Sequence, residues 1–279
     1  MGPWDRRHGH SWRWSHVRIA LCQIASTPEP DANLELVAGG VRRASEAGAE
    51  LAVFPEATMA CFGVPLAPLA EPLDGPWAGE VGRLAADAGI TVVAGMFTPA
   101  EDGRVTNTLL VTGPEQRTRY DKIHLYDAFG FAESRTVSPG EQPRTVRLPS
   151  ATVGLTTCYD VRFPGLYTTL AEQGASVLIT AASWGAGSGK RAQWELLTRA
   201  RALDSTSWVV ACGQADPRSI GREPAAKAPT GIGYSTVATP YGEIHDQLEA
   251  EPDVLITDIA PERADQARES IPVLANRKF

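Results

Sequence analysis

Histidine is scarce in this chain: five residues among 279, three of them within the first sixteen. Only His124 and His245 remain for the body of the protein. A thiol hydrolase of the papain type needs an imidazole beside its cysteine, and few positions are left to supply one. Cysteine is sparse as well. Cys22, Cys61, Cys158 and Cys212 make no C-x-x-C pair and no metal-finger spacing, so no metal is expected. Basic residues are not in excess: 26 Lys and Arg face 33 Asp and Glu, a net charge of −7. Nucleic-acid binders usually carry a basic face, so no nucleic-acid partner is expected. A local basic pocket for an acidic substrate stays compatible with that balance. No run approaches the ~20 apolar residues that span a bilayer, and no apolar stretch follows the basic start as in a secretory signal. The expectation is a soluble, cytoplasmic protein with free thiols.

What is present suits a large core. Hydrophobic residues make up 43% of the chain, enough for one large core or two modest ones. No Ser/Pro-rich or charged linker interrupts the pattern, so residues 17–279 read as a single domain. Residues 1–16 hold Trp4, Trp12 and Trp14 among Arg and Gly and show no helix or strand period. They read as a disordered extension or a start site set too far upstream, although His8 and His10 make an H-x-H pair.

Three phrases share one design: EAGAELAVF, DAGITVVAG and EQGASVLIT. Each is a helix end, a glycine cap and a hydrophobic strand. Strands are expected at 17–24, 50–54, 90–96, 107–112, 117–121, 145–148, 152–157, 176–181, 207–213, 234–237 and 254–258. Helices are expected at about 31–47, with Asp31 as a cap, and at 192–204. A tail from Pro272 reads as a docked arm. Alternating helices and buried strands mean an α/β protein.

Three reactive side chains stand at strand ends, where α/β folds collect their chemistry. The strand Ala52-Val-Phe-Pro-Glu56 delivers a carboxylate that is desolvated enough to serve as a base. Taken alone, a capping or solvated acid reads as well. Lys122, in Arg119-Tyr-Asp-Lys-Ile-His-Leu-Tyr126, is a fixed ammonium able to hold an oxyanion, or else a surface lysine. Cys158 ends the strand 152–157, with a sharp turn and a helix expected next. A thiol at a helix N-terminus has a lowered pKa and is more nucleophilic. Cys22 and Cys212 lie mid-strand and read as structural. His124, two residues from Lys122 in an extended segment, should face the other way. Glu56 is then the economical base.

FPE, YDKIHLYD and CYDVRFP, in that order, resemble the signature segments of the nitrilase superfamily, the carbon–nitrogen hydrolases. The likeness covers nearly the whole chain after Val17. It extends to Glu133-Ser134 with Ser138-Pro-Gly140, to Trp194-Glu195 with Arg199-Ala-Arg-Ala202, and to the tail 271–277. The Tyr-Asp and Arg-Phe-Pro after the cysteine favour the branch of omega-amidases and deaminated glutathione amidase. Two departures bear on the pocket: Gly165 stands where that branch usually has Glu, and Gln193 where His often precedes Trp-Glu.

The resemblance implies a four-layer α-β-β-α sandwich, usually paired into a homodimer or a higher homo-oligomer. It implies that Glu56, Lys122 and Cys158 are catalytic, with the Tyr159 backbone N–H as a second oxyanion donor and Glu133 positioning Lys122 or the substrate. Tyr126, Phe129, Phe131, Arg162 and Trp184 are the pocket candidates. Arg162 either binds a substrate carboxylate or pairs with an acid such as Asp160. The implied reaction is hydrolysis of a small acid amide through a cysteine thioester, with no cofactor. Within the superfamily, an N-carbamoyl amine hydrolase or an acyl transferase is the alternative. A catalytically silent scaffold is the alternative of another class, although all three reactive residues are present. The run Gly185-Ala-Gly-Ser-Gly-Lys190 is one residue short of a P-loop and lacks its Ser or Thr. It reads as a loop at the pocket mouth.

Overall fold

The computed structural model describes residues 16–278 except 115, 129 and 225–227; most of the N-terminal segment discussed above therefore lies outside the described residues. Two β-sheets form the centre. One runs in the order Asp253–Ile259, Val17–Gln23, Leu51–Val53, Thr91–Pro99, Val105–Gly113, Gln116–Asp121, with Val137–Ser138 also paired to Val105–Gly113. The other runs Ile244–Gln247, Thr236–Ala238, Trp208–Gly213, Val177–Ala182, Thr152–Thr157, Arg144–Arg147. The central strands of each sheet are parallel. Their crossovers need helices on the outer faces, and those helices close the stack.

Alternation of side chains shows the layers. Ile19 and Leu21 point between the sheets, where they join Val53, Leu109, Leu155, Ile179 and Val210. Ala20 and Cys22 point outward, against Val37, Val41, Trp77 and Val81 of the helices Pro30–Glu46 and Pro76–Ala88. In the second sheet Leu178 and Ala182 meet Leu166, Tyr167, Leu170 and Trp194 of the helices Pro164–Glu172 and Lys190–Ser205. The result is the expected α-β-β-α sandwich. Because both faces are buried, the strands are nearly continuous hydrophobic runs.

The three helix–glycine–strand phrases hold: Gly48, Gly89 and Gly174 all have left-handed backbone, at φ 72°, 68° and 92°. The expected cap does not. The first helix starts at Pro30 with Glu29 at its cap position and no side-chain cap bond, and Asp31 sits inside the first turn. Proline's fixed φ starts that helix instead. Elements not anticipated include the Ile244–Gln247 strand, the Glu262–Ser270 helix and the short strand Val137–Ser138. The arm at the end is docked: Arg277 donates to Thr168 Oγ1 and Glu172 Oε2, at 2.8 and 2.9 Å.

Candidate active site

The sheets bring three strand ends together. Glu56 lies just beyond the short Leu51–Val53 strand, and the chain turns at once, with Ala57 at φ 58°. Gly95 of the neighbouring strand makes room for that turn: a Cβ there would come 2.5 Å from the Ala57 nitrogen. Lys122 follows the Gln116–Asp121 strand. Its N–H donates to the Asn107 carbonyl at 2.9 Å, and its own carbonyl accepts from the Gly140 N–H at 2.8 Å. Cys158 ends the Thr152–Thr157 strand at φ 45° and opens a 3-10 turn over Cys158–Arg162, followed by the Pro164–Glu172 helix. This is the sharp turn and helix the sequence suggests.

Glu56, Lys122 and Glu133 are buried, at 1, 2 and 3% exposure. Burying unpaired charge is strongly unfavourable, so the bonding has to be complete. Lys122 Nζ donates to Glu56 Oε1 at 2.9 Å and to Glu133 Oε2 at 2.9 Å. Two carboxylates against one ammonium leave a net negative charge, and neutral donors absorb it. Asn107 Nδ2 donates to Glu56 Oε1 at 2.8 Å and to Glu133 Oε1 at 3.1 Å. The Ser183 N–H donates to Glu56 Oε2 at 2.8 Å, and the Tyr126 N–H to Glu133 Oε2 at 2.6 Å. Burial by itself pushes Lys122 down, but Glu56 and Glu133 outweigh it and hold the ammonium well above its ordinary range.

Cys158 departs from expectation. Burial first, then the charge of Glu56, pushes its thiol well above the ordinary range, and Lys122 draws it back only in part. The helical turn is present, but desolvation beside two carboxylates overrides its N-terminal field. The thiol is therefore protonated near neutrality and needs a base in contact. Its S–H donates to the Ser183 carbonyl at 3.8 Å, and the Glu56 carboxylate lies near enough for its charge to act on the thiol.

Asp160, which the sequence offers only as a possible partner of Arg162, ties the lysine segment to the cysteine turn. Its buried carboxylate accepts from the Thr157 N–H at 2.8 Å, the Tyr120 hydroxyl at 2.6 Å and the His124 N–H at 3.1 Å, and lies 2.7 Å from His124 Nδ1. His124 stacks on Phe163 with ring centroids 3.7 Å apart.

A pocket opens onto these groups. Of the expected lining, Tyr126, Phe131, Arg162 and Trp184 are there, while Phe129 lies outside the described residues; Tyr159, expected to contribute its backbone N–H, lines the pocket as well. Phe62 and Pro229 were not anticipated. Gly185 and Lys190 put the glycine-rich run at the mouth, as its composition suggests. Arg162 does not pair with Asp160, whose oxygens are occupied. Its Nη2 donates to Gln193 Oε1 at 2.8 Å, and its guanidinium lies 5.3 Å from the Trp184 ring centre and 5.9 Å from that of Tyr159. Lys190 Nζ lies 5.8 Å from the Trp184 ring centre, so two cations stand at one wall. Gly165 is exposed, and a Cβ there would meet nothing within 4 Å, so it does not shape the pocket. Among the described residues, no group of three or more His, Cys, Asp or Glu is placed to hold a metal, and no helix is long and apolar enough to cross a membrane.

Asn107 is the residue sequence reasoning missed most plainly. A signal existed: asparagine is depleted in strands, yet it stands here inside a hydrophobic one.

Comparison with known proteins agrees with the geometry. The family model for carbon-nitrogen hydrolases matches residues 18–269. A Mycobacterium tuberculosis protein named as a hydrolase is 55% identical, over 94% of this chain and 95% of that one. The deaminated glutathione amidase of Escherichia coli O157:H7 is 34% identical, over 94% of this chain and 97% of that one. The crystal structure of Saccharomyces cerevisiae Nit3, described as a member of branch 10 of the nitrilase superfamily, superposes with a TM-score of 0.81 at 25% identity. It covers 95% of this chain and 97% of that one.

Proposed function

The chain belongs to the carbon-nitrogen hydrolase family, and from that premise we propose that it is an amidase that cleaves a small acid amide through a thioester on Cys158. The observation that carries this reading is one pocket lined by the Cys158 thiol, the Glu56 carboxylate and the Lys122 ammonium, with Lys122 Nζ 2.9 Å from Glu56 Oε1. Glu56 takes the thiol proton as the sulfur attacks the amide carbon. The carbonyl oxygen becomes an oxyanion, held by Lys122 Nζ and the Tyr159 N–H. That N–H lies in the first turn of the Cys158–Arg162 helix, where backbone donors have no partner within the helix. One such donor is typically worth ~3 kcal/mol of barrier.

Collapse of the tetrahedral centre breaks the C–N bond. The nitrogen takes the proton from Glu56 and leaves as ammonia. Glu56 then deprotonates a water, which attacks the thioester carbon. The acid departs, and the proton returns from Glu56 to the sulfur. Glu133 and Asn107 touch no reacting atom; they hold Lys122 and Glu56 in place.

The substrate's remote end is read at Arg162 and Lys190. A carboxylate there meets a guanidinium suited to bidentate recognition. Deaminated glutathione and the short omega-amides both carry such a group. We further take the protein to act in the cytoplasm as a homodimer. Leu196 and Leu203, seven positions apart on one helix and exposed at 65 and 47%, support an apolar contact with a second copy.

The test is ammonia release from a panel of amides: deaminated glutathione, α-ketoglutaramate, succinamate, N-carbamoyl amino acids and a simple nitrile, with Cys158→Ala as control. Ammonia from an acid amide, abolished in the variant, is the expected result. Release from none of the acid amides, or undiminished release in the variant, contradicts the reading.

A further inference from the structure

Arg104 and Arg201 of this chain are paired with carboxylates, Asp102 and Asp204, at 2.5 and 2.6 Å. Arg162 is not. Its guanidinium donates instead to the amide oxygen of Gln193, a neutral acceptor. The guanidinium sits over two aromatic rings, which orient its plane without neutralising it. Gln193 itself is firmly placed. It lies one position before Trp194, which is fully buried and donates through its indole N–H to the Tyr234 carbonyl at 2.8 Å. Lys190, Gln193 and Trp194 share one helix face by their i, i+3 and i, i+4 spacing, so the helix that carries the second pocket cation also carries the group holding the first.

We propose that Gln193 is a specificity-determining residue: it fixes the Arg162 guanidinium while leaving its charge uncompensated, so that the pocket selects amides bearing a carboxylate. This rests on the acid-amide reading above. An acid at position 193 would turn the same contact into an internal ion pair and compete with the substrate for Arg162. A position with no acceptor would leave the guanidinium charged but unsteered.

The experiment compares Gln193→Glu and Gln193→Met with the unaltered protein. The substrate is whichever acid amide of the panel is cleaved fastest, alongside the same amide with methyl in place of the carboxylate. Alkylation of Cys158 by iodoacetamide, which needs no carboxylate, reports whether the site is intact. Gln193→Glu is expected to raise KM for the acid amide at least about tenfold, the worth of one charge-assisted hydrogen bond. It should leave kcat, the alkylation rate and any cleavage of the neutral amide within about twofold. Gln193→Met is expected to raise KM for the acid amide alone, by a smaller factor. Equal losses on both amides with alkylation intact, or no change in KM, would overturn the proposal. Should Gln193→Glu lose alkylation through misfolding, Gln193→Met decides by the same split. If the unaltered protein cleaves the two amides equally well, the acid-amide reading itself fails, and this inference falls with it.

Discussion

At Cys158 opposing forces act on one thiol, and those that raise it prevail. Burial and the Glu56 charge raise its thiol, and Lys122 lowers it. A thiol whose pKa lies well above 9 holds its proton at pH 7, so direct alkylation by iodoacetamide should be slow there and rise as pH climbs past the ordinary thiol range. Glu56→Gln removes a raising influence, and the midpoint of that rise should move down. Rates of alkylation against pH check this; a midpoint below that of a free thiol, or an upward move in the variant, contradicts the assignment. Lys122 offers a second test. Lys122→Met leaves Glu56 and Glu133 facing each other in the interior without their cation. Breaking a buried ion pair in this way typically costs about 3–5 kcal/mol, so denaturant unfolding should show a loss of that order, together with loss of activity.

Among the elements, the strand ends matter more than the strands. Gly140 packs against the last residue of the Gln116–Asp121 strand so closely that a Cβ would overlap the Asp121 carbonyl. Gly140→Ala should therefore displace Lys122 and lower both melting temperature and kcat. Gly165→Ala is the contrast. It opens a helix whose surroundings are empty, and alanine there should raise stability by up to about 1 kcal/mol. Thermal melts of the two variants should move in opposite directions. These elements were largely legible in the sequence because a strand buried on both faces shows itself as an apolar run, and a glycine cap marks where the helix before it stops. The Glu262–Ser270 helix was not legible. Only Ala264 and Ala267 of it are buried, so it has no large apolar period to detect. The Ile244–Gln247 strand is short and mostly exposed at a sheet edge, and packing rather than pattern makes it a strand.

Over the whole molecule, two sheets from distant parts of the chain place Glu56, Lys122 and Cys158 in one cluster. Local pattern marked each strand end as a place for chemistry. It could not say that Asn107 bridges two carboxylates, that Asp160 joins the lysine segment to the cysteine turn, or that Gln193 holds Arg162. Those contacts join residues 26 to 51 positions apart, and only the fold decides them. The exposed pair Leu196 and Leu203 gives a prediction at this scale. Sedimentation should show a dimer, and Leu196→Glu with Leu203→Glu should shift it to the monomer; an unaltered protein that sediments as a monomer contradicts the homodimer. The central claim is tested most directly by intact-mass spectrometry of the protein quenched during turnover of an acid amide. The account predicts an added mass equal to the substrate less ammonia, carried by Cys158 and absent from Cys158→Ala. Ammonia release that proceeds in Cys158→Ala, with no adduct on the unaltered protein, would contradict it.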